Sequence, residues 1–93
     1  MTHHKILSLV ISFNGSGTIS ECLDSITGQL GVSTDILVID NNSSDETVEI
    51  ILEKKLRNLT LMQQKKNYGV GQALNRGLEY AREAGYNMLW VFD

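Results

Sequence analysis

The stretch that decides the fold is "DILVIDNNSSDET", residues 35–47. Its apolar run, Ile36 to Ile39, stops at Asp40. A short, continuously apolar run is what a strand covered on both faces carries. Two asparagines, two serines and two acids follow, and then Val48, Ile51, Leu52 and Leu56 recur at helical spacing. The unit is therefore strand, polar turn, helix. Ser43 with Glu46 fits a capping box at the helix start.

The same unit recurs on either side. "KILSLVIS" (5–12), "LTLM" (59–62) and "MLWVF" (88–92) read as further strands, the last continuously apolar and so expected to be covered on both faces. Ile19, Cys22, Leu23, Ile26 and Leu30 form one more helical stripe, and Val70, Ala73, Leu74, Gly77, Leu78 and Ala81 form the longest. Ser16 or Thr18 is placed to cap the first of these helices, and Gly28 or Gly31 and then Gly85 to stop helices. Gly77 inside a helix reads as close packing against a sheet. Alternating strands and helices predict an α/β fold: a Rossmann-like three-layer sandwich with a four-stranded parallel sheet and helices on both faces. In that architecture ligands bind beyond the carboxyl ends of the strands. Those ends carry Ser12-Phe13-Asn14, Asp40-Asn41-Asn42, Gln63-Gln64 and Asp93.

Bulk composition narrows the function. The chain has 93 residues, 42% hydrophobic and 20% charged, with a net charge of −3, which reads as one globular domain spanning 1–93. Its only basic pairs are Lys54-Lys55 and Lys65-Lys66, which argues against nucleic acid as a partner. The longest apolar run is far short of the ~20 residues of a membrane span. One cysteine, Cys22, cannot form an internal disulfide, and a reducing, cytoplasmic setting is expected. Cys22 lies on an apolar stripe and reads as a small core residue. No Gly-x-Ser-x-Gly elbow is present, and His3-His4 have no cysteine pair with which to bind zinc. A phosphoacceptor domain of the receiver type needs an acid pair after the first strand, and Ser12-Phe13-Asn14 offers none.

Three segments carry the candidate chemistry. Asp40, at a strand end next to a helix start, is placed to accept an N–H from a base or hydroxyls from a ribose. In "NYGVGQALNRG" (67–77), Asn67 and Gly69 precede a helix whose N-terminus favours an anion. Asn75 points either to the strand edge or to solvent. Asp93 closes the fourth strand on the edge expected to hold Asp40, and two carboxylates facing one cleft suit a divalent cation and a diphosphate.

Taken together, the segments resemble the amino-terminal half of an inverting family 2 glycosyltransferase of the GT-A fold, over nearly the whole chain. "LVISFN" is similar to the family's opening strand, which usually ends Thr-Tyr-Asn. "ILVIDNNSSDET" resembles its Val-Asp-Asn-x-Ser-x-Asp-x-Thr segment. "NYGVGQALNRGLEYA" resembles its Asn-x-Gly-x-x-x-Ala-x-Asn-x-Gly-x-x-x-Ala helix, and "MLWVFD" the strand that delivers Asp-x-Asp. "LEYAREAGYNMLWVFD" leans towards bacterial rhamnosyltransferase-like members.

The resemblance implies a UDP- or dTDP-sugar donor, an acceptor glycan or lipid-linked sugar, and a role in polysaccharide biosynthesis. It assigns Phe13 to base stacking and Asp40 to the imide N–H of uracil or thymine. Ser12, Asn14, Asn42, Asn67, Gly69 and Asn75 join them as nucleotide-binding residues. Asp93 would be the first acid of Asp-x-Asp and a ligand of Mn²⁺ or Mg²⁺. The family's last acid and its catalytic base have no counterpart here, so no catalytic residue is assigned. The chain is expected to be an N-terminal nucleotide-sugar-binding fragment of a longer enzyme, inactive alone. The whole protein is expected in the cytoplasm or at the inner face of the membrane. Phe13 replaces the usual Tyr, and Leu74 stands where many relatives carry Arg. The competing expectation is a non-catalytic module that binds a nucleotide or a partner. In either case an open edge on the fourth strand would invite self-association.

Overall fold

Seven elements alternate along the chain: β1 (Ile6–Ser12), α1 (Ile19–Thr27), β2 (Asp35–Asp40), α2 (Thr47–Glu53), β3 (Leu59–Gln63), α3 (Val70–Glu83) and β4 (Met88–Phe92). They come from a computed structural model that describes residues 5–28 and 34–92. The strands form one parallel sheet in the order β3-β2-β1-β4. The expected α/β sandwich is the one observed.

Alternation along the two central strands builds two cores. Val10 of β1 with Ile36 and Val38 of β2 meets Ile19, Leu23 and Ile26 of α1 and Ile51 of α2. Leu7 and Leu9 with Leu37 and Ile39 meet Ala73 and Ala81 of α3 on the opposite face. α1 and α2 thus share one face while the chain steps outward from β1 to β3. α3 then carries it back across the other face to set β4 beside β1. That reversal puts the ends of β1 at the switch point of the sheet, where parallel α/β folds open a crevice.

α3 lies close because its sheet-facing residues are small. A Cβ at Gly77 would stand 2.9 Å from Leu9 Cδ1 and nearer still to Cδ2. At the opposite rim, Tyr86 and Lys5 fasten β4. Tyr86 donates to Asp35 at 2.6 Å, and Lys5 Nζ lies 4.5 Å from the Tyr86 ring centre and donates to the Ala84 carbonyl at 2.9 Å. Burial, together with that bond to Asp35, pushes the Tyr86 phenol above its ordinary range.

Some local expectations are corrected. β4 is not covered on both faces: Met88 and Val91 are exposed and Trp90 is only partly buried. The strand is at the sheet edge, paired with β1 alone, while α3 packs over β1 and β2. Its outer backbone edge is unpaired among the described residues. The Ser43–Glu46 capping box does not form. Glu46 occupies the cap of α2 without a side-chain bond, and Asp45 takes the Thr47 N–H instead. Thr18 stands at the cap of α1 without a side-chain bond, Gly28 ends that helix, and Gly85 follows α3 at φ +82°. Leu30, Gly31, His3 and His4 lie outside the described residues. No helix among the described residues is long and apolar enough to cross a membrane.

Close packing at Gly77 and open space at Gly71 make opposite predictions. Gly77→Ala should lower stability by about 1–3 kcal/mol, despite the better helix propensity of alanine. Gly71→Ala, whose methyl would meet nothing within 4 Å, should raise it by about 0.5–1 kcal/mol. Urea midpoints of the two variants, moving in opposite directions, are the check.

Candidate functional site

The small polar residues after β2 bind the ends of β1 and β2 into one surface. Ser12 and Asp40 share the last rung of the β1–β2 ladder, and both are buried. A buried carboxylate is costly unless its oxygens are hydrogen-bonded. Asp40 Oδ1 accepts the Ser12 hydroxyl at 2.7 Å and the Ser43 hydroxyl at 2.6 Å, and Oδ2 accepts the Ser43 N–H at 2.8 Å. A carboxylate has about four acceptor positions, so Oδ2 keeps one.

From there the bonds pass between the two loops. Ser43 Oγ accepts the Asn14 N–H at 2.9 Å, and Asn14 Oδ1 accepts the Ser44 N–H at 2.8 Å. Asp45 Oδ2 accepts the Ser16 N–H at 3.1 Å, and Asp45 Oδ1 accepts both the N–H and the hydroxyl of Thr47. Thr47, itself fully buried, accepts the Gly15 N–H at 2.9 Å. Asn14 and Asn42 adopt left-handed backbone, at φ 48° and 65°, a conformation asparagine tolerates better than most residues. One rung further, Asn41 N–H donates to the Ser12 carbonyl and Gln64 N–H to the Asp40 carbonyl, each at 2.8 Å.

Above this junction Phe13 projects with 51% of its surface exposed. Beneath it a pocket of about 140 Å³ runs between the end of β1 and the start of α1, past Thr18, Ile19 and Cys22. Burial raises the Cys22 thiol above its ordinary value, as suits a packing residue. On the other side, Asn67 Oδ1 accepts the Gly69 N–H at 2.8 Å, and Gly69, at φ 89°, turns the chain into α3, whose start has no side-chain cap. Asn41 Nδ2 reaches the Gly69 carbonyl at 3.4 Å.

The fold therefore brings Ser12, Phe13, Asn14, Asp40, Asn42, Asn67 and Gly69 to one rim. It does not bring Asn75 there. Asn75 is exposed on the flank of α3 that also carries Gln72, Glu79 and Arg82, because its helical phase is opposite that of the sheet-facing Ala73 and Gly77. Asp93 lies outside the described residues. β4 is described as far as Phe92, which is paired with Val10, two residues short of Ser12. Sequence reasoning passed over Ser16, Asn41, Ser43, Asp45 and Thr47 as site builders. The available signal was the density of short hydrogen-bonding side chains in 41–47, more than a helix cap requires. Among the described residues no group of three or more His, Cys, Asp or Glu could hold a metal ion. Asp40 and Asp45 are already engaged with serine, threonine and backbone groups, so the described residues do not fit a divalent cation.

A family model described as Glycosyl transferase family 2 matches residues 9–93. Among similar curated proteins, a poly-beta-1,6-N-acetyl-D-glucosamine synthase of Staphylococcus epidermidis is 31% identical over 86 residues, covering 91% of this chain and 20% of its relative. An uncharacterized protein of Mycobacterium tuberculosis is 34% identical over 70 residues, covering 75% and 22%. Among solved structures, S. aureus TarS 1–349 in complex with UDP superposes with a TM-score of 0.81 at 28% identity, over 96% of this chain and 27% of that one. The mannosyltransferase PcManGT from Pyrobaculum calidifontis, in complex with GDP-Man and Mn²⁺, gives 0.76 at 26% identity, over 86% and 25%. The chain spans a fifth to about a quarter of the length of these relatives.

The bonds between the loops carry a pH signature. Hydrogen bonding from Thr47, with further N–H bonds from Thr47 and Ser16, holds the Asp45 carboxyl down from 3.8 to about 2. The unfolded chain then binds this proton more tightly than the folded one. The stability Asp45 contributes is complete above its ordinary value and is lost as pH falls from near 4 towards 2. Asp45→Asn should flatten that part of a plot of urea midpoint against pH. Identical acid slopes in the two proteins would refute the assignment.

Proposed function

The chain belongs to glycosyl transferase family 2, and on that premise we propose that it is the nucleotide-binding part of a transferase that moves a sugar from a nucleoside diphosphate to an acceptor hydroxyl with inversion. One observation carries the reading. The Ser12–Asp40–Ser43 junction sets an exposed aromatic ring, Phe13, beside the buried carboxylate of Asp40, whose Oδ2 has one partner, at the same strand ends. The ring offers a face on which a base stacks. Oδ2 accepts one N–H, which the imide of a pyrimidine supplies. The uncapped start of α3 lies across the same rim. UDP or dTDP is the donor nucleotide this pattern suits, and a UDP-bound relative of the same fold supports it.

In the reaction, the acceptor oxygen bonds to the anomeric carbon as the bond from that carbon to the diphosphate oxygen breaks. The nucleoside diphosphate leaves, and the acceptor's proton passes to a base. The described residues bind and orient the donor, and none is assigned to that proton transfer. A divalent cation is proposed for the whole enzyme only. Asp93 is the one residue of this chain proposed towards it, and a relative solved with Mn²⁺ supports that proposal. A glycan or lipid-linked sugar is proposed as acceptor, in keeping with the poly-N-acetylglucosamine synthase among the relatives.

Calorimetric titration of the 93-residue chain with UDP and dTDP tests the reading. Binding is expected for the wild type. Phe13→Ala should weaken it by about tenfold, the scale of one base–aromatic stack, without moving the unfolding midpoint, since the ring is half exposed. No uptake of either nucleotide would leave a non-catalytic partner-binding module as the better reading. Release of UDP from a UDP-sugar is not expected of this chain alone, since it spans about a fifth of its curated relatives.

A further inference from the structure

Two side chains behind the rim carry polar atoms that the fold leaves without partners. Asn41 is 2% exposed, and neither its Oδ1 nor the buried Nε2 of Gln64 has a hydrogen-bond partner. One atom is an acceptor and the other a donor. Asn41 and Gln64 follow Asp40 and Gln63, which share a rung of the β2–β3 ladder. The Gln64 N–H bond to the Asp40 carbonyl extends that ladder to the next rung. By alternation both side chains fall on the α3 face, in line with Ile39 and Met62. Neighbouring strands lie ~4.8 Å apart, so the backbones of the two residues stand about one strand spacing from each other.

The same Asn41 amide touches the start of α3. Its Nδ2 donates to the Gly69 carbonyl at 3.4 Å, longer than an ordinary N–H···O bond. Gly69 is the cap of a 14-residue helix with no side-chain cap, so the first-turn N–H groups of Val70, Gly71 and Gln72 have no partner within the helix. Gly71 has no packing reason to be glycine, since a Cβ there meets nothing within 4 Å. A residue that weakens the helix without a contact to justify it marks a place where a ligand comes close to backbone.

We propose that Asn41 and Gln64 are positioning residues for the nucleotide. With nucleotide bound, Gln64 Nε2–H donates to Asn41 Oδ1 and the Asn41–Gly69 bond shortens. The first-turn N–H groups of α3 are then seated on an oxygen of the nucleoside diphosphate. This rests on the nucleotide reading above and adds to it a pair of side chains that touch the protein rather than the ligand.

The test is amide hydrogen exchange and UDP titration on the 93-residue chain as wild type, Asn41→Leu, Gln64→Met and the double variant. In the wild type UDP should slow exchange at Gly69 to Ala73. Each single variant should bind about tenfold more weakly and lose that UDP-dependent protection. The double variant should be no weaker than the worse single one, because the two residues act through one bond. Gln64→Met should keep or raise the urea midpoint, so its affinity loss would not reflect unfolding. Wild-type affinity in the single variants, or losses that add independently, would overturn the proposal while leaving the nucleotide reading in place. A wild type that takes up no nucleotide would overturn both.

Discussion

A buried carboxylate has to fill its acceptor positions, and Asp40 fills three of them from the end of β1 and from the turn after β2. Its partners are the Ser12 hydroxyl at the end of β1 and the hydroxyl and N–H of Ser43 after β2. Leaving such a group unpaired in the interior costs several kcal/mol by transfer data, so the loops are held to it. Asn14, Gly15 and Ser16 then bond to Ser43, Thr47 and Asp45 in succession. Three consecutive β1–α1 positions are thereby indexed to the β2–α2 turn and the start of α2. The outer side of this hydrogen-bonded seam is the carboxyl-end rim of β1 and β2.

The parallel sheet gives the seam its place. Parallel strands put all their carboxyl ends on one rim, and the return of α3 over the opposite face makes β1 the point from which helices diverge. Small residues on α3 let it approach Leu9 closely enough for its start to reach Asn41. The rim is thus built from loops after β1, β2 and β3. Several short hydrogen bonds tie it together on the Asp40 side, and one long bond from Asn41 ties it to Gly69 on the other. The same family relationship places this four-stranded parallel sheet among GT-A glycosyltransferases.

Much of this was legible in the residues. Runs such as "ILVI" and "MLWVF" allow few readings other than strands, and the stripe from Val70 to Ala81 only a helix, because backbone period and burial leave a direct imprint on side-chain polarity. Gly77 announced close packing, and the Leu9 contact bears that out. The rim residues Ser12, Phe13, Asn14, Asp40, Asn67 and Gly69 were also readable, since parallel topology alone assigns strand ends to one edge. Asn75 was ambiguous because two residues of helical phase decide whether a side chain meets sheet or solvent. The exposure of β4 was misjudged for a related reason: an apolar run says that a strand is covered in some setting, and not which strand of the sheet stands at the edge.

By itself the sequence determined the alternation of elements, the parallel sheet, the rim that bears the polar groups and the family those groups resemble. All of these follow from local pattern and chain order. Tertiary structure alone decided the partners: that Asp40 turns inward to Ser12 and Ser43, that Asp45 rather than Ser43 serves the start of α2, and that Asn41 Oδ1 and Gln64 Nε2 are buried without partners. Hydrogen bonds between residues some thirty positions apart depend on strand register and loop backbone angles, and only packing of the whole sheet fixes those.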